Sequence, residues 1–341
     1  MKRDMTEERS SRPTPSEVKL RVDSYAALHG EGVGGGAAAR KEKYADLVNT
    51  YYDLATDFYE FGWGSSFHFA QRDTGESFKA SLARHEHFLA DELALRPGMV
   101  VLDAGCGVGG PMREIATYSG ATVIGVNNNA YQVDKAEKYT SRLGLEETCQ
   151  VIKGDFMSIP LPDDTFDAAY SIEATVHAPN HTELFKEFYR VLKPGAWMVS
   201  YEWCLTDQFD GQDSNHQRIK KAIEKGAGLP DIPLTQEVPE ALDRAGFEVE
   251  VARDLALVSP VPWYWPLAGR DRSLRSLPRT PLGRSLTNVT TRILERLHLA
   301  PKGTTEVSTF LNRAADAMVE SGDLGLFTPM FYVRARSRKK S

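Results

Sequence analysis

The strongest constraint on the fold of this 341-residue chain is a change of pattern at residues 100–110. Val100-Val101-Leu102 is a short apolar run ending in Asp103, as in a parallel strand buried on both faces. A glycine loop over 105–110 follows, and Pro111 stands where the first turn of a helix tolerates proline. The alternation then repeats. Thr122–Val126, Gln150–Lys153, Phe166–Ser171 and Trp197–Tyr201 read as strands. Helices over Ala130–Leu143 and near 181–192 separate them, and Lys193-Pro194-Gly195 makes a turn into the fifth strand. Helical stretches near 215–226 and 236–245 precede a sixth strand, Phe247–Val251, and a seventh, Met330–Ala335, follows a long insertion. This pattern predicts a Rossmann-like, open, mostly parallel seven-stranded α/β sheet with helices on both faces. Arg40–Leu95 reads as a helical lead broken by an aromatic loop at 59–69, and the polar, glycine-ending residues 1–40 as a mostly flexible tail. The expected divisions are tail 1–40, core 41–255 and C-terminal region 256–341.

Composition excludes several classes. A formal net charge of −6 argues against nucleic acid as a partner. Three cysteines, Cys106, Cys149 and Cys204, with no CxxC pair, do not make a disulfide scaffold. No stretch approaches the roughly 18–20 apolar residues of a membrane-spanning helix, and the charged first residues do not read as a secretory signal. His85 and His87, two apart on an expected helix, point to different faces, so no metal site is expected.

Gly105, Gly107 and Gly110 satisfy the GxGxxG spacing, which alone fits a nicotinamide dehydrogenase as well as a methyltransferase. Three features separate the two. Asn127-Asn128-Asn129 stands where a dinucleotide site usually carries an acid, Asp155 follows the third strand in Lys153-Gly154-Asp155-Phe156 beside amides suited to an adenine ring, and Phe166-Asp167 and Lys-Pro-Gly open the fourth and fifth strands. Together these resemble the S-adenosylmethionine methyltransferases across residues 97–205.

Longer strings narrow the resemblance. Tyr59-Glu60-Phe61-Gly62-Trp63-Gly64-Ser65-Ser66-Phe67-His68-Phe69, Leu102 to Pro111, Gly125 to Asn129 with Tyr131-Gln132, Ile172-Glu173-Ala174-Thr175-Val176-His177-Ala178-Pro179 and Tyr201-Glu202-Trp203 resemble the sterol 24-C-methyltransferases. So do Trp263 to Leu267 and Leu326 to Met330; Phe61 departs from the tyrosine or tryptophan of some members but stays aromatic. The resemblance implies methyl transfer from S-adenosyl-L-methionine to carbon 24 of a Δ24 sterol, a homo-oligomer, and a cofactor set of Asp103, Gly105, Cys106, Gly107, Asn127, Asn128, Gln132, Asp155, Phe156 and Glu173.

The chemistry fits the residues. The alkene attacks the methyl in line, which demands oriented reactants. The cation left at carbon 25 is stabilised by aromatic faces, offered here by Tyr59, Phe61, Trp63, Phe67 and Phe69, with Tyr59 and Trp63 foremost. After a hydride shift, Glu60, His68, Glu173, His177 or Glu202 removes a proton or anchors the sterol hydroxyl; the sequence does not rank them. Two other readings share the core: a methyltransferase acting on fatty acids or prenylquinones, and a non-catalytic lipid-binding protein. The aromatic segment and the insertion argue against the first, and the intact glycine loop with Asp155 against the second.

Within the insertion, Leu286, Val289, Ile293 and Leu297 recur at helical spacing in a basic stretch (Arg270, Arg272, Arg275, Arg279, Arg284, Arg292, Arg296, Lys302). Such a helix lies on an anionic membrane surface or packs as a lid or subunit contact. A lipid-soluble acceptor favours the cytosolic face of the endoplasmic reticulum or microsomal membrane as the expected location.

Overall fold

The computed structural model describes residues 15–30, 35–270 and 274–338. An N-terminal group of helices, α1 (Pro15–Leu28), α2 (Ala37–Glu42), α3 (Tyr44–Trp63) and α4 (Phe78–Glu92), precedes the sheet. The core then runs β1 (Val100–Ala104), α5 (Gly110–Ser119), β2 (Thr122–Asn127), α6 (Ala130–Arg142), β3 (Cys149–Lys153), β4 (Phe166–Ile172), α7 (His181–Val191), β5 (Leu192–Leu205), α8 (Ser214–Ala227), α9 (Glu237–Ala245) and β6 (Phe247–Asp254). After β6 come α10 (Trp265–Ala268), α11 (Pro281–Arg296), α12 (Thr304–Asp323) and β7 (Phe327–Ser337).

The seven strands form one sheet in the order β3-β2-β1-β4-β5-β7-β6, with β7 antiparallel to both neighbours and the rest parallel. This is the expected architecture. Helices cover both faces because the strands are apolar on both. One core layer gathers Val101, Val123 and Tyr201, and the other Leu102, Phe185 and Met198. Lys193-Pro194-Gly195, expected as a turn, lies within β5 as a bulge: pairing with β4 jumps from Phe166↔Leu192 to Ala168↔Trp197.

Two expectations are corrected. Within the stretch read as tail, residues 15–28 are helical, and Val22 and Tyr25 bury against α3 and α12, with Tyr25 stacked 5.3 Å from Phe310. Residues 1–14 and 31–34, the glycine-rich run included, lie outside the described residues. The aromatic segment 59–69 is only partly a loop, because α3 continues through Trp63 and closes with Gly64 N–H donating to the Glu60 carbonyl at 3.0 Å. Packing of its apolar face outweighs the roughly 1 kcal/mol that Gly62 costs inside a helix. In the insertion, Arg272 and the side chain of Arg275 lie outside the described residues. Among the described residues no helix is long and apolar enough to cross a membrane.

Candidate active site

Strand order locates the site before any side chain is considered. From β1 the chain moves outward to β2 and β3, then returns to place β4 on the other side of β1. Ligands of such sheets bind at the carboxyl ends of the strands where the order reverses. Both signature segments sit there, the glycine loop after β1 and Glu173 after β4.

The first cleft is lined by the glycine loop, the asparagine run and Asp155 with Phe156. Gly105 and Gly107 have φ of +87° and +54°, the left-handed region that favours glycine. A methyl at Gly105 would overlap Ala174, whereas nothing lies within 4 Å of the place a Cβ would take at Gly107. Cys106, small and buried beneath the loop, has its thiol pushed well up by burial, which suits packing rather than nucleophilic attack. Asp103 is buried and accepts from the Tyr170 hydroxyl at 3.0 Å; burial pushes its carboxyl up to about 7 against the pull of that bond. Asn127 Nδ2 donates to Gln132 Oε1 at 2.9 Å, and Gln132 Nε2 donates to Thr56 Oγ1 at 3.2 Å. Asn128 lines the cleft beside them. Asp155 accepts from the Tyr44 hydroxyl and, at 2.8 Å, from the Met157 backbone N–H.

The second cavity is apolar and aromatic and opens to solvent. Tyr59, Phe61 and Trp63 from the last turns of α3 form one wall, Phe67 and Phe69 another, Trp203 of β5 the floor, and α12 the far side through Ala314, Ala315 and Met318. The rings brace one another: Trp63 meets Phe69 edge-on at 4.8 Å, and Tyr59 lies 5.3 Å from Phe67.

Phe67, His68 and Glu173 line both spaces. Glu173 is buried, in a left-handed conformation (φ 55°) that non-glycine residues adopt only at a cost. Its Oε1 accepts from the Phe69 backbone N–H at 2.6 Å and its Oε2 from Trp203 Nε1–H at 2.7 Å. Burial lifts this carboxyl to about 8, against the opposing pull of the His68 charge and those two donors. His68 faces an acceptor on each side, Phe69 O at 2.6 Å from Nδ1 and Glu86 Oε1 at 2.9 Å from Nε2. Burial would lower its pKa, but Glu86, with help from Glu173 and the Phe69 carbonyl, raises it, and the two acceptors favour a ring protonated on both nitrogens.

The other proposed bases sit elsewhere. Glu60 points away from both cavities and is held by Lys135 and by the Tyr139 hydroxyl at 2.6 Å. Glu202 lies on the opposite sheet face from Trp203, as strand alternation requires, and accepts from Thr175. Both are therefore removed from the base candidates. His177 lines only the cofactor cleft; its Nδ1–H donates to Gly228 O at 3.2 Å, which leaves Nε2 to accept from the Tyr52 hydroxyl at 2.9 Å. Burial lowers its pKa to about 4, so it is neutral, and the left-handed Glu173 shares no helical face with it.

Comparison with known proteins adds the decisive observation. A family model described as methyltransferase domain matches residues 102–200, and one described as sterol methyltransferase C-terminal matches residues 274–337. Over 323 residues the chain is 52% identical to cycloartenol-C-24-methyltransferase 1 of Oryza sativa subsp. japonica, covering 95% of this chain and 94% of that protein. The chain belongs to the sterol 24-C-methyltransferase family. The family's Saccharomyces cerevisiae member, a sterol 24-C-methyltransferase, is 45% identical over 305 residues, covering 87% of this chain and 80% of that protein. Among solved structures, a mycolic acid cyclopropane synthase complexed with SAH aligns with a TM-score of 0.67 at 17% identity, covering 87% of this chain and 98% of that one. A geranyl diphosphate C-methyltransferase from Streptomyces coelicolor aligns at 0.56 and 18%, covering 86% and 97%. Those two likenesses concern the fold.

In this sterol 24-C-methyltransferase family member, several site residues escape the sequence reading. Trp203 was visible beside Glu202, and strand alternation was the signal that only one of the two faces the site. Tyr44 and Tyr52 close the cofactor cleft from α3, and Glu86 pairs with His68 across 18 positions, which no local pattern announces. Helix α12 lies outside the elements read from sequence, although Val307, Phe310, Ala314 and Met318 carry helical spacing that signals it.

Proposed function

We propose that this protein transfers the methyl group of S-adenosylmethionine to carbon 24 of a Δ24 sterol, and that Glu173 receives the proton released at the end. The observation that carries the reading is the meeting of a glycine-loop cleft and an aromatic apolar cavity at Phe67, His68 and Glu173. The cleft fits the cofactor: open space at Gly107 admits a ligand against the backbone, and Asp103, Asn127, Asn128, Gln132 and Asp155 offer polar groups around it. Gly105, Cys106 and Phe156 shape its walls. When bound, S-adenosylmethionine supplies an electrophilic methyl.

This chain's residues do the rest. The apolar cavity aligns the side-chain alkene and keeps water from the cation. Tyr59, Trp63, Phe67 and Phe69 present ring faces to the positive charge without adding a nucleophile that would trap it. His68 has both nitrogens committed as donors and takes no proton, while His177 sits on the cofactor side. Glu173 borders the cavity with a carboxyl pKa near the working pH, the condition that favours general base catalysis. This reading includes a homo-oligomer working at the cytosolic surface of the endoplasmic reticulum or microsomal membrane, where its acceptor dissolves.

Methyl transfer from labelled S-adenosylmethionine to cycloartenol, lanosterol and zymosterol, with products identified by mass spectrometry, tests the proposal. A labelled 24-alkylated sterol supports it; cofactor binding with no sterol product sinks it.

A further inference from the structure

Helix α11 is built inside out. Leu282, Leu286, Val289, Ile293 and Leu297 form one helical stripe, and each is between 51% and 74% exposed. The face toward the protein is polar. Arg284 is buried there, donating to the Leu267 and Arg279 carbonyls at 2.8 and 3.1 Å and pairing with Asp316, while Thr291 is buried and Asn288 Nδ2 donates to Thr309 at 3.4 Å. A helix whose only partner is its own domain hides its apolar stripe; this one turns it outward, the mark of an interaction surface.

We infer that this stripe docks on an anionic lipid surface and holds the aromatic cavity open to it, an inference that rests on the sterol reading above. Two observations select lipid. Arg292 and Arg296 are exposed along one border of the stripe, with Lys302 exposed beyond its end, a basic rim beside an apolar face as interfacial helices carry. The helix borders the cavity from its inner side through Arg284 and Thr287, and Phe61 lines the same cavity while remaining 65% exposed.

The test uses the full chain and vesicles of phosphatidylcholine with or without phosphatidylserine. Wild type floats with the anionic vesicles and is released by salt. Leu286→Glu/Ile293→Glu lowers the bound fraction about tenfold or more, and Arg292→Gln/Arg296→Gln, at exposed positions safe for folding, weakens the salt-sensitive part. Methyl transfer to sterol embedded in the vesicles falls with binding, while transfer to cyclodextrin-delivered sterol stays at the wild-type rate. Wild type that stays in the soluble fraction, or glutamate variants that float unchanged, overturns the inference. So does a fall in oligomer size in those variants with lipid binding intact, which would make the stripe a contact between copies. Loss of cyclodextrin-delivered activity in wild type would instead refute the sterol reading.

Discussion

Trp203→Phe keeps an aromatic floor in the cavity and removes one donor to Glu173, so it isolates the carboxyl that carries the proposed proton transfer. With its pKa at about 8, Glu173 is ionised in about one molecule in ten at pH 7. A hydrogen bond to a charged group contributes about 1.5–3 kcal/mol, or roughly one to two pKa units. Without the indole N–H the carboxyl rises by that amount, and the ionised fraction at pH 7 falls to about one in a hundred to one in a thousand. Turnover at neutral pH then drops about 10- to 100-fold, and the rising limb of the kcat profile moves to higher pH by the same one to two units, about what the bond is worth. The assay is kcat against pH with both substrates saturating. Cofactor Kd stays near the wild-type value, because Trp203 lines only the aromatic cavity. A Trp203→Phe enzyme with the wild-type limb would refute Glu173 as the titrating base.

Three further outcomes follow from the same geometry. Gly107→Ala places a methyl in the open space of the cofactor cleft; the protein folds at a cost of about 1–2 kcal/mol for the left-handed backbone, and calorimetry should find cofactor affinity reduced at least about tenfold. An unaltered Kd would mean that the cofactor does not approach this loop. Glu60→Gln should leave kcat within about twofold of wild type and cost at most about 1 kcal/mol in urea unfolding, since its partners are Lys135 and Tyr139; a loss of turnover beyond about a hundredfold would restore it as the base. Asp103 and Glu173 contribute stability that falls as pH rises, because the folded protein retains protons on them that the unfolded chain has lost, from ordinary values of 3.8 and 4.5 up to about 7 and 8, whereas the buried neutral His177 contributes the opposite slope between about 4 and 6.5. Each group contributes a slope of about 1.4 kcal/mol per pH unit inside its window, and Glu173→Gln removes one share, so the stability of wild type relative to Glu173→Gln should fall between the ordinary value of 4.5 and about 8; a difference that stays flat across that interval would contradict the assigned burial.

The sheet was readable because its signals are local. A buried strand, a glycine loop and a helix occupy fewer than two dozen consecutive residues around Asp103, and the turn residues mark each change of element. The site was readable only as a set of segments. Glu60 and Glu173 look equally suited to proton transfer in sequence, and the phase of α3 sends the first outward to Lys135 while the end of β4 sends the second into the cavity. Glu202 fails for a simpler reason, the two-residue period of β5. The N-terminal helix carries its own signal, with Val18, Val22 and Tyr25 at helical spacing, but the burial that orders it depends on α12, nearly three hundred positions away. The His68–Glu86 pair is a tertiary event of the same kind.

The most direct test of the account is a crystal structure of the protein with S-adenosylhomocysteine and a Δ24 sterol. The account predicts the adenosyl group over Gly107 and beside Asp103, and the sterol side chain at the junction of Phe67, His68 and Glu173 with its rings toward Met318. A sterol bound with its ring end at that junction, or outside the aromatic cavity altogether, would contradict it.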